Sequence, residues 1–212
     1  MDILRRISDC IIDMGKEEIR DLVLEALEED IKVEDIYRNG LNYGMTRALE
    51  KFEVKEYYLP EIIVCADTLN EGISILKNSG EIKKDTKGKV VLSVVEGDTH
   101  EIGKNIVKIM MEASGYDVID LGVNQKSKNI IKAAIDNRAD IIGLSSMMTT
   151  TMENMKTVIN DLNNLKLEKK PKVIIGGGPV NKNFAEEIGA DGYSENAPKA
   201  VLLIKKLMEE AI

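Results

Sequence analysis

A single histidine lies in a short loop between two regular segments of the sequence. His100 is the only histidine among 212 residues, and it falls within Val90–Lys104, VVLSVVEGDTHEIGK. The apolar run Val90–Val95 predicts a buried strand, and the residues from Gly103 onward predict a helix. Loops at the carboxyl ends of parallel strands line the ligand crevice of an α/β fold. His100 is therefore expected where such a fold binds its ligand.

The surroundings of His100 narrow the chemistry that it could perform. Asp98 stands two positions earlier and could hydrogen-bond one ring nitrogen, which would leave the other nitrogen to bind a metal. The alternative is a loop histidine that is simply hydrogen-bonded to a nearby aspartate. One histidine without a cluster of Cys or His residues cannot build a zinc or non-haem iron site. A single protein ligand does suit a metal that a macrocycle already holds.

A group of hydroxyl side chains follows the third predicted strand. Gly143–Met152, GLSSMMTTTM, contains five of them. They could be turn residues, and Thr151 could cap the next helix. We favour contact with a ligand, because this loop is expected opposite the His100 loop. Four methionines here are interpreted as core residues rather than ligand contacts: Met147, Met148, Met152 and Met155.

Consecutive glycines, Gly176–Gly178, follow the fourth predicted strand. They could form a tight turn, or the missing side chains could leave room for a flat, bulky group between sheet and helices. The run does not match the dinucleotide-binding pattern GxGxxG. It is therefore a weak signal unless the other loops support it.

The rest of the sequence predicts a helical domain followed by an α/β domain. Residues 1–79 read as a bundle of four amphipathic helices, the third over Val33–Glu53. Residues 80–89 are polar and lysine-rich, which is typical of a linker. In residues 90–212, strands and helices alternate five times, which predicts a doubly wound, Rossmann-like parallel sheet. With the flavodoxin-like order 2-1-3-4-5, the switch point lies between strands one and three.

Composition excludes several classes of partner. The net charge is −8 and no dense Lys/Arg cluster is present, so we expect no nucleic-acid partner. No apolar run reaches the roughly 18 residues of a membrane span, and the N-terminus lacks the apolar region of a signal peptide. Cys10 and Cys65 are interpreted as buried thiols in a reducing compartment. These features predict a cytoplasmic protein with no membrane partner.

Three motifs in order make the chain similar to the cobalamin-binding module of methionine synthase and of corrinoid proteins in methyltransferase systems. The family pattern Asp-x-His-x-x-Gly, Ser-x-Leu and Gly-Gly matches Asp98–Gly103, Ser145–Met147 and Gly176-Gly177, with methionine in place of leucine. The segments MMTTTM and GGGPVNKNFAEEIGADGY resemble the methylamine, methanol and methoxy-aromatic corrinoid proteins. The four-helix segment, with Tyr57-Tyr58-Leu59-Pro60, resembles the family's helical cap, so the likeness spans nearly the whole chain.

The resemblance implies that cobalamin or a related corrinoid binds base-off and His-on. His100 would be the axial ligand to cobalt, Asp98 would hydrogen-bond its far nitrogen, and Thr151 would complete a proton relay. These three residues are the catalytic candidates. The cofactor-binding residues that the resemblance implies are Gly97, Asp98, Thr99, His100, Glu101, Ile102, Gly103, Ser145, Met147, Thr149, Thr151, Gly176, Gly177 and Ala197.

Some of these residues would serve the nucleotide tail of the cofactor rather than its cobalt. Ser145 and Thr149 would meet the buried tail. The two motif glycines would make room for it, and Ala197 would lie along its channel. The helical domain would cover the methyl face of the corrinoid.

The function that the resemblance implies is methyl carriage. A substrate-specific methyltransferase would methylate Co(I), and a second methyltransferase would pass the methyl group to coenzyme M or tetrahydrofolate. A reductive activation protein is a further expected partner, and the chain alone is not expected to be an enzyme. The alternatives are a cobalamin-dependent regulator, disfavoured by the chain's length and acidic charge, and the cobalamin-binding subunit of an isomerase.

Overall fold

The structure, a computed structural model, describes residues 2–77 and 86–210. This part of the chain forms two compact units, one built mainly from residues 2–77 and the other mainly from residues 86–210. The predicted linker, 80–89, lies mostly outside the described residues, so its boundaries stay predictions. Among the described helices, none combines the length and apolar character that a membrane span requires.

The first unit is helical, as predicted. Its elements are α1 (Ile3–Ile12), α2 (Ile19–Glu28), α3 (Val33–Asp35), a π-helical segment (Ile36–Asn42), α4 (Tyr43–Glu53) and α5 (Leu59–Lys77). The third predicted helix, Val33–Glu53, therefore contains a π-helical segment that the apolar periodicity did not predict.

Two glycines let α1 approach the third helical stretch closely. A Cβ atom on Gly40 would lie 2.9 Å from Cγ2 of Ile7, and one on Gly44 would lie 2.8 Å from the carbonyl oxygen of Ser8. Any side chain at either position would push the helices apart. This contact explains why two residues that disfavour helices are retained inside one.

The second unit alternates strands and helices. Its elements are β1 (Lys89–Val94), α6 (Ile102–Ala113), β2 (Asp117–Asp120), α7 (Ser127–Asp136), β3 (Ile141–Ser145), α8 (Thr149–Asn163), β4 (Lys172–Gly176), α9 (Lys182–Ile188), β5 (Gly192–Ser194) and α10 (Ala197–Glu209). Within the described residues these strands form one parallel sheet in the order β2-β1-β3-β4-β5. The predicted fold and strand order are confirmed.

Apolar residues on both faces of the sheet hold this unit together. Val91 and Ile142 pack on one face with residues of α7, α8 and α9. Val90 and Ile174 pack on the other with residues of α6 and α10. Strands covered on both faces must be apolar throughout, which is why the sequence of β1 shows no alternation.

The register of the strands decides which loops are neighbours. Val94 at the end of β1 pairs with Ser145 at the end of β3, and Ser145 pairs with Gly176 at the end of β4. The loops that follow these strands therefore leave the same edge of the sheet side by side.

Candidate functional site

The three loops that carry the sequence motifs are joined by backbone hydrogen bonds. The N–H of Val95 donates to the carbonyl of Ser145 at 3.2 Å, and the N–H of Ser146 donates to the carbonyl of Gly176 at 3.2 Å. The hydrogen-bond ladder of the parallel sheet therefore continues beyond the ends of the strands and holds the three loops next to one another.

The Asp98 carboxylate connects the loop after β1 with the loop after β3. Its Oδ1 accepts from the backbone N–H of His100 at 3.0 Å and lies 2.8 Å from the ring Nδ1 of His100. Its Oδ2 accepts from the N–H of Met147 at 2.7 Å, the Ser146 hydroxyl at 3.0 Å and the Thr151 hydroxyl at 3.1 Å. Both carboxylate oxygens are thus saturated with donors.

These donors keep Asp98 ionised although its side chain is fully buried. Burial opposes the charge and would raise the pKa of Asp98. The backbone N–H groups of His100 and Met147, together with the His100 ring and the Ser146 hydroxyl, outweigh burial and hold the pKa well below its usual range. Asp98 is therefore a fixed negative charge inside the site.

His100 is oriented by this charge. An ionised carboxylate can only accept, so the Nδ1 atom that faces Asp98 carries the proton, and in the neutral ring Nε2 keeps its lone pair. The His100 side chain is 57% exposed although its partner is buried. The arrangement leaves the second imidazole nitrogen available to bind a metal.

The residues next to His100 form an open surface. Thr99, Glu101 and Gly103 are exposed, and Ile102 at the start of α6 is 79% exposed. A Cβ atom on Gly103 would meet nothing within 4 Å. An apolar side chain exposed next to His100 suits a surface that another apolar group covers.

Thr151 and Ser146 form a buried hydroxyl pair behind the carboxylate. Their oxygens are 2.8 Å apart, and each lies within hydrogen-bonding distance of Asp98 and of the Met148 carbonyl. Thr151 is the third residue of α8, whose N-cap is Met148, so Thr151 does not cap the helix. The structure places the Thr151 hydroxyl 3.1 Å from Asp98, and the role of Thr151 in a proton relay stays a prediction.

Ser146 was missed by the sequence reasoning, which placed Ser145 in the site instead. Ser145 is the last residue of β3 and half-buried, while Thr149 is exposed at the start of α8. Neither is among the described donors to Asp98. Their contacts with a nucleotide tail stay predictions.

The motif glycines are required by close packing of the loops. A Cβ atom on Gly177, whose φ is +127°, would lie 1.8 Å from the Ser146 carbonyl oxygen. One on Gly176 would lie 2.9 Å from the carbonyl oxygen of Ser194. Gly97 has φ +83°, and a Cβ there would lie 3.2 Å from Cγ2 of Thr151. These contacts give the glycines a local role whether or not they also admit a tail.

Ala197 and Met147, which were also predicted to contact the cofactor, differ in exposure to solvent. Ala197 is buried and is the first residue of α10. Met147 is 48% exposed, and its Sδ accepts from the N–H of Gly178 at 3.3 Å. Our interpretation of Met147 as a core residue is wrong, because its backbone bond to Asp98 turns the side chain out of the core. Met155 is fully buried, as predicted.

A buried ion pair joins the helix that follows the histidine loop to the end of β2. Lys104, in the first turn of α6, has a side chain only 1% exposed, and its Nζ lies 2.6 Å from each oxygen of Asp120. Burial would raise the pKa of Asp120, but the bonds from Lys104 and from the Gly122 N–H lower it. Sequence reasoning did not predict this pair.

Comparison with known proteins identifies the family. Residues 88–202 and residues 3–77 each match a B12 binding domain family. The chain is 38% identical over 212 residues to a corrinoid protein of Desulfitobacterium hafniense (strain Y51), covering 98% of both chains. The chain belongs to the B12-binding corrinoid proteins. The family resemblance predicted from the three motifs is confirmed, and with it corrinoid binding.

Other corrinoid proteins match along the same length. Dimethylamine corrinoid protein 2 of Methanosarcina acetivorans is 36% identical over 209 residues, with 98% of this chain and 96% of the relative covered. A chain of the methanol:cobalamin methyltransferase complex of Methanosarcina barkeri superposes with a TM-score of 0.88 at 29% identity, covering 98% of this chain and 80% of that chain. A cobalamin-binding protein of Desulfitobacterium hafniense DCB-2 superposes with a TM-score of 0.70 at 32% identity, with 98% of each chain covered.

The geometry of the site fits a corrinoid. A corrinoid would bring a cobalt atom that its macrocycle already holds, so a single protein ligand would suffice, and His100 would supply one imidazole nitrogen. The exposed apolar residue Ile102 and the open space at Gly103 are compatible with a broad, largely apolar group above His100. Among the described residues, no cluster of three metal-ligating side chains offers a rival metal site.

Proposed function

We propose that this corrinoid protein carries methyl groups between two methyltransferases. One partner would deliver the methyl group from a small methylated substrate, and the other would pass it to an acceptor such as coenzyme M or tetrahydrofolate. The observation that carries the proposal is the outward Nε2 of His100 held by buried Asp98, within a B12-binding domain. Relatives named for dimethylamine, trimethylamine and methanol systems support it.

In this proposal His100 is the axial ligand, and the cofactor binds base-off and His-on. When bound, the corrinoid would supply a cobalt atom that accepts and releases the methyl group. His100 would be positioned for that atom before the cofactor arrives, because its ring is already fixed through Nδ1. The predicted partners also include a reductive activation protein.

Asp98 has two tasks in the proposed function. Its charge holds the proton on Nδ1 of His100, which raises the basicity of the opposite nitrogen and so strengthens it as a ligand. Its Oδ2 accepts hydrogen bonds from the hydroxyls of Ser146 and Thr151. Each hydroxyl can rotate its proton towards or away from Asp98. The two hydroxyls would therefore adjust their hydrogen bonds when a proton moves between Asp98 and His100, as a proton relay requires.

The names of the relatives favour methyl carriage over the other expected functions. They come from methylamine and methanol systems, whereas the regulator and the isomerase subunit are supported by no feature of this site. The methyl donor is set in this proposal by the partner that delivers the group, so transfer from several methylated amines and methanol would need to be compared.

The single histidine permits a direct test of the axial ligand. Protein grown with 15N-histidine carries the label in one imidazole only. After loading with hydroxocobalamin and reduction to Co(II), the axial nitrogen splitting in the electron paramagnetic resonance spectrum should change from the 14N to the 15N pattern. An unchanged 14N pattern would show that the benzimidazole still occupies the axial position, and the proposal of His-on binding would fail.

Two variants complete this test. His100→Ala should lose the axial nitrogen splitting, and Asp98→Asn should retain it with weaker cobalamin binding, by about 10- to 100-fold as for other partners of metal ligands. Methyl transfer would then be measured with each candidate methyltransferase and reduced holo-protein. A protein that binds cobalamin through His100 but accepts no methyl group from any of them would contradict methyl carriage.

A further inference from the structure

The loop after β2 also holds the histidine loop, through one residue that no motif includes. The side-chain Oδ1 of Asn124 accepts from the N–H of Gly97 at 2.7 Å. The backbone N–H of Asn124 donates to the carbonyl of Asp98 at 2.9 Å. Asn124 therefore binds the main chain of two consecutive residues, Gly97 and Asp98, which are separated from His100 only by Thr99.

The backbone of Asn124 is in the conformation that makes both contacts possible. Its φ is +53°, in the left-handed region that asparagine tolerates better than most residues. The turn is continued by further bonds to β1, because the N–H of Val94 donates to Gly122 and the N–H of Gln125 donates to Val94, each at 3.0 Å. The position of Asn124 is therefore fixed by the sheet and not by the histidine loop.

The histidine loop needs such a restraint at Gly97. Glycine has more backbone freedom than any other residue, and Gly97 has φ +83°. On its other side the loop is held by Asn154, whose side-chain amide donates to the Glu96 carbonyl at 2.8 Å. The Glu96 carbonyl and the Gly97 N–H belong to one peptide group, so without the Asn124 oxygen that peptide would keep only the contact from Asn154.

We infer that Asn124 is a positioning residue for the axial ligand: it fixes the main chain of Asp98 so that the carboxylate meets His100 and the β3 loop at the same time. Asp98 accepts from two donors in the loop after β3, from the Thr151 hydroxyl at the start of α8 and from two groups of His100. A small rotation of its main chain must therefore weaken one of these sets. Asn124 acts through Asp98 and touches neither the imidazole nor the cofactor. The inference rests on the proposed function, in which His100 binds cobalt.

Three variants separate this role from an ordinary turn residue. Asn124→Gly keeps the left-handed backbone at no steric cost and removes the accepting oxygen. Asn124→Asp keeps an oxygen at that position and should rescue. Arg138→Gly is the matched control, because Arg138 has φ +52° but lies before β3 at the opposite edge of the sheet.

The first readout uses the protein without cofactor. With the single histidine labelled, the 15N chemical shifts of its ring report whether Nδ1 stays protonated against Asp98. In Asn124→Gly these shifts should move towards the average of the two tautomers, and the amides of Gly97 and His100 should exchange faster. Asn124→Asp and Arg138→Gly should both keep the wild-type shifts.

The second readout is the dissociation constant for hydroxocobalamin. Asn124→Gly should bind about tenfold more weakly, at the low end of the range for outer partners of a metal ligand, and the other two variants should bind as the wild type does. Wild-type ring shifts and wild-type affinity in Asn124→Gly would overturn the inference. An equal loss in Asn124→Asp would overturn it as well, because the accepting oxygen would then not be the cause.

The two proposals can fail separately. If the wild-type protein does not bind hydroxocobalamin, the proposed function fails, while the ring shifts of the cofactor-free variants still decide whether Asn124 orients His100. If Asn124→Gly does not fold, Asn124→Ala takes its place. In the wild-type protein, a Gly97 amide that exchanges without protection would contradict the inference directly.

Discussion

Replacing Asp98 by asparagine tests the electrostatic design of the site without changing its shape. Asparagine has one accepting oxygen and one NH2 group where aspartate has two acceptors. If the oxygen takes the Oδ1 position, the NH2 group faces the N–H of Met147, which lies 2.7 Å from Oδ2. If it takes the Oδ2 position, the NH2 group faces the N–H of His100. In both orientations a backbone donor meets another donor.

The cost follows from these contacts. A buried N–H left without an acceptor costs about 1–3 kcal/mol, and each remaining hydrogen bond loses the strength that the charge gave it. The hydroxyls of Ser146 and Thr151 can turn and accept, so they add little to the cost. We expect Asp98→Asn to lower the free energy of unfolding by about 3 kcal/mol.

Urea unfolding of the cofactor-free protein, followed by far-ultraviolet circular dichroism, measures this loss. The control is Asp161→Asn, because Asp161 is an exposed carboxylate that accepts from one hydroxyl, that of Ser127 at 2.6 Å. Its replacement should change the free energy of unfolding by less than about 0.5 kcal/mol. A loss below about 1 kcal/mol in Asp98→Asn would refute the assignment of Asp98 as a saturated buried anion.

The loss must also depend on pH with a fixed sign. The pKa of folded Asp98 lies below its value in the unfolded chain, about 3.9. The stabilisation from ionised Asp98 is therefore complete above the unfolded pKa and is lost as the pH falls from there through the folded pKa. The difference between wild type and Asp98→Asn should be constant near neutral pH and shrink below about pH 4. A difference that grows on acidification would contradict the argument.

Two further substitutions test how the loops and α6 are held, each measured by the same unfolding experiment. Gly177→Ala should cost more than about 3 kcal/mol, because its Cβ would lie 1.8 Å from the Ser146 carbonyl oxygen. The control is Gly189→Ala, which has φ +76° and open space and should cost about 1 kcal/mol. Equal losses of unfolding free energy in the two variants would contradict the packing argument. Lys104→Met should cost about 1–3 kcal/mol, because it removes the buried partner of Asp120 while Lys108 stays 3.7 Å from the same carboxylate. Lys132→Met, in an exposed ion pair, should cost less than about 0.5 kcal/mol. A loss at Lys104 no larger than the loss at Lys132 would show that the ion pair does not hold α6.

Much of the site was predictable because its central contact is local. Asp98 and His100 are two residues apart, so their hydrogen bond is made within a single turn. Strand order and strand ends, inferred from the alternation of apolar segments, placed the loop of Thr151 beside that of His100, and the family resemblance singled out Thr151 itself, whose hydroxyl lies 3.1 Å from Asp98. Ser146 stands next to Ser145 at the end of β3, so the sequence indicated a serine there without deciding which of the two meets Asp98.

Other positioning residues could not be found in this way. Asn124 meets Gly97 across 27 positions of sequence, and Lys104 meets Asp120 across 16. No spacing rule connects such pairs, because they meet only after β1 and β2 have paired. The choice between Ser145 and Ser146 depends on register in the same sense, since a shift of one residue along a strand reverses the face to which a side chain points.

The sequence by itself determined the alternation of strands and helices, the position of the histidine loop and the family to which the chain belongs, since each is written in local periodicity and short motifs. Only the tertiary structure decided which donors surround Asp98 and why Gly177 cannot carry a side chain. It also decided that Asn124 binds Gly97 and that Lys104 pairs with Asp120. The physical reason is that burial and hydrogen-bond partners across loops depend on the register of the parallel sheet, which no short segment of the chain specifies.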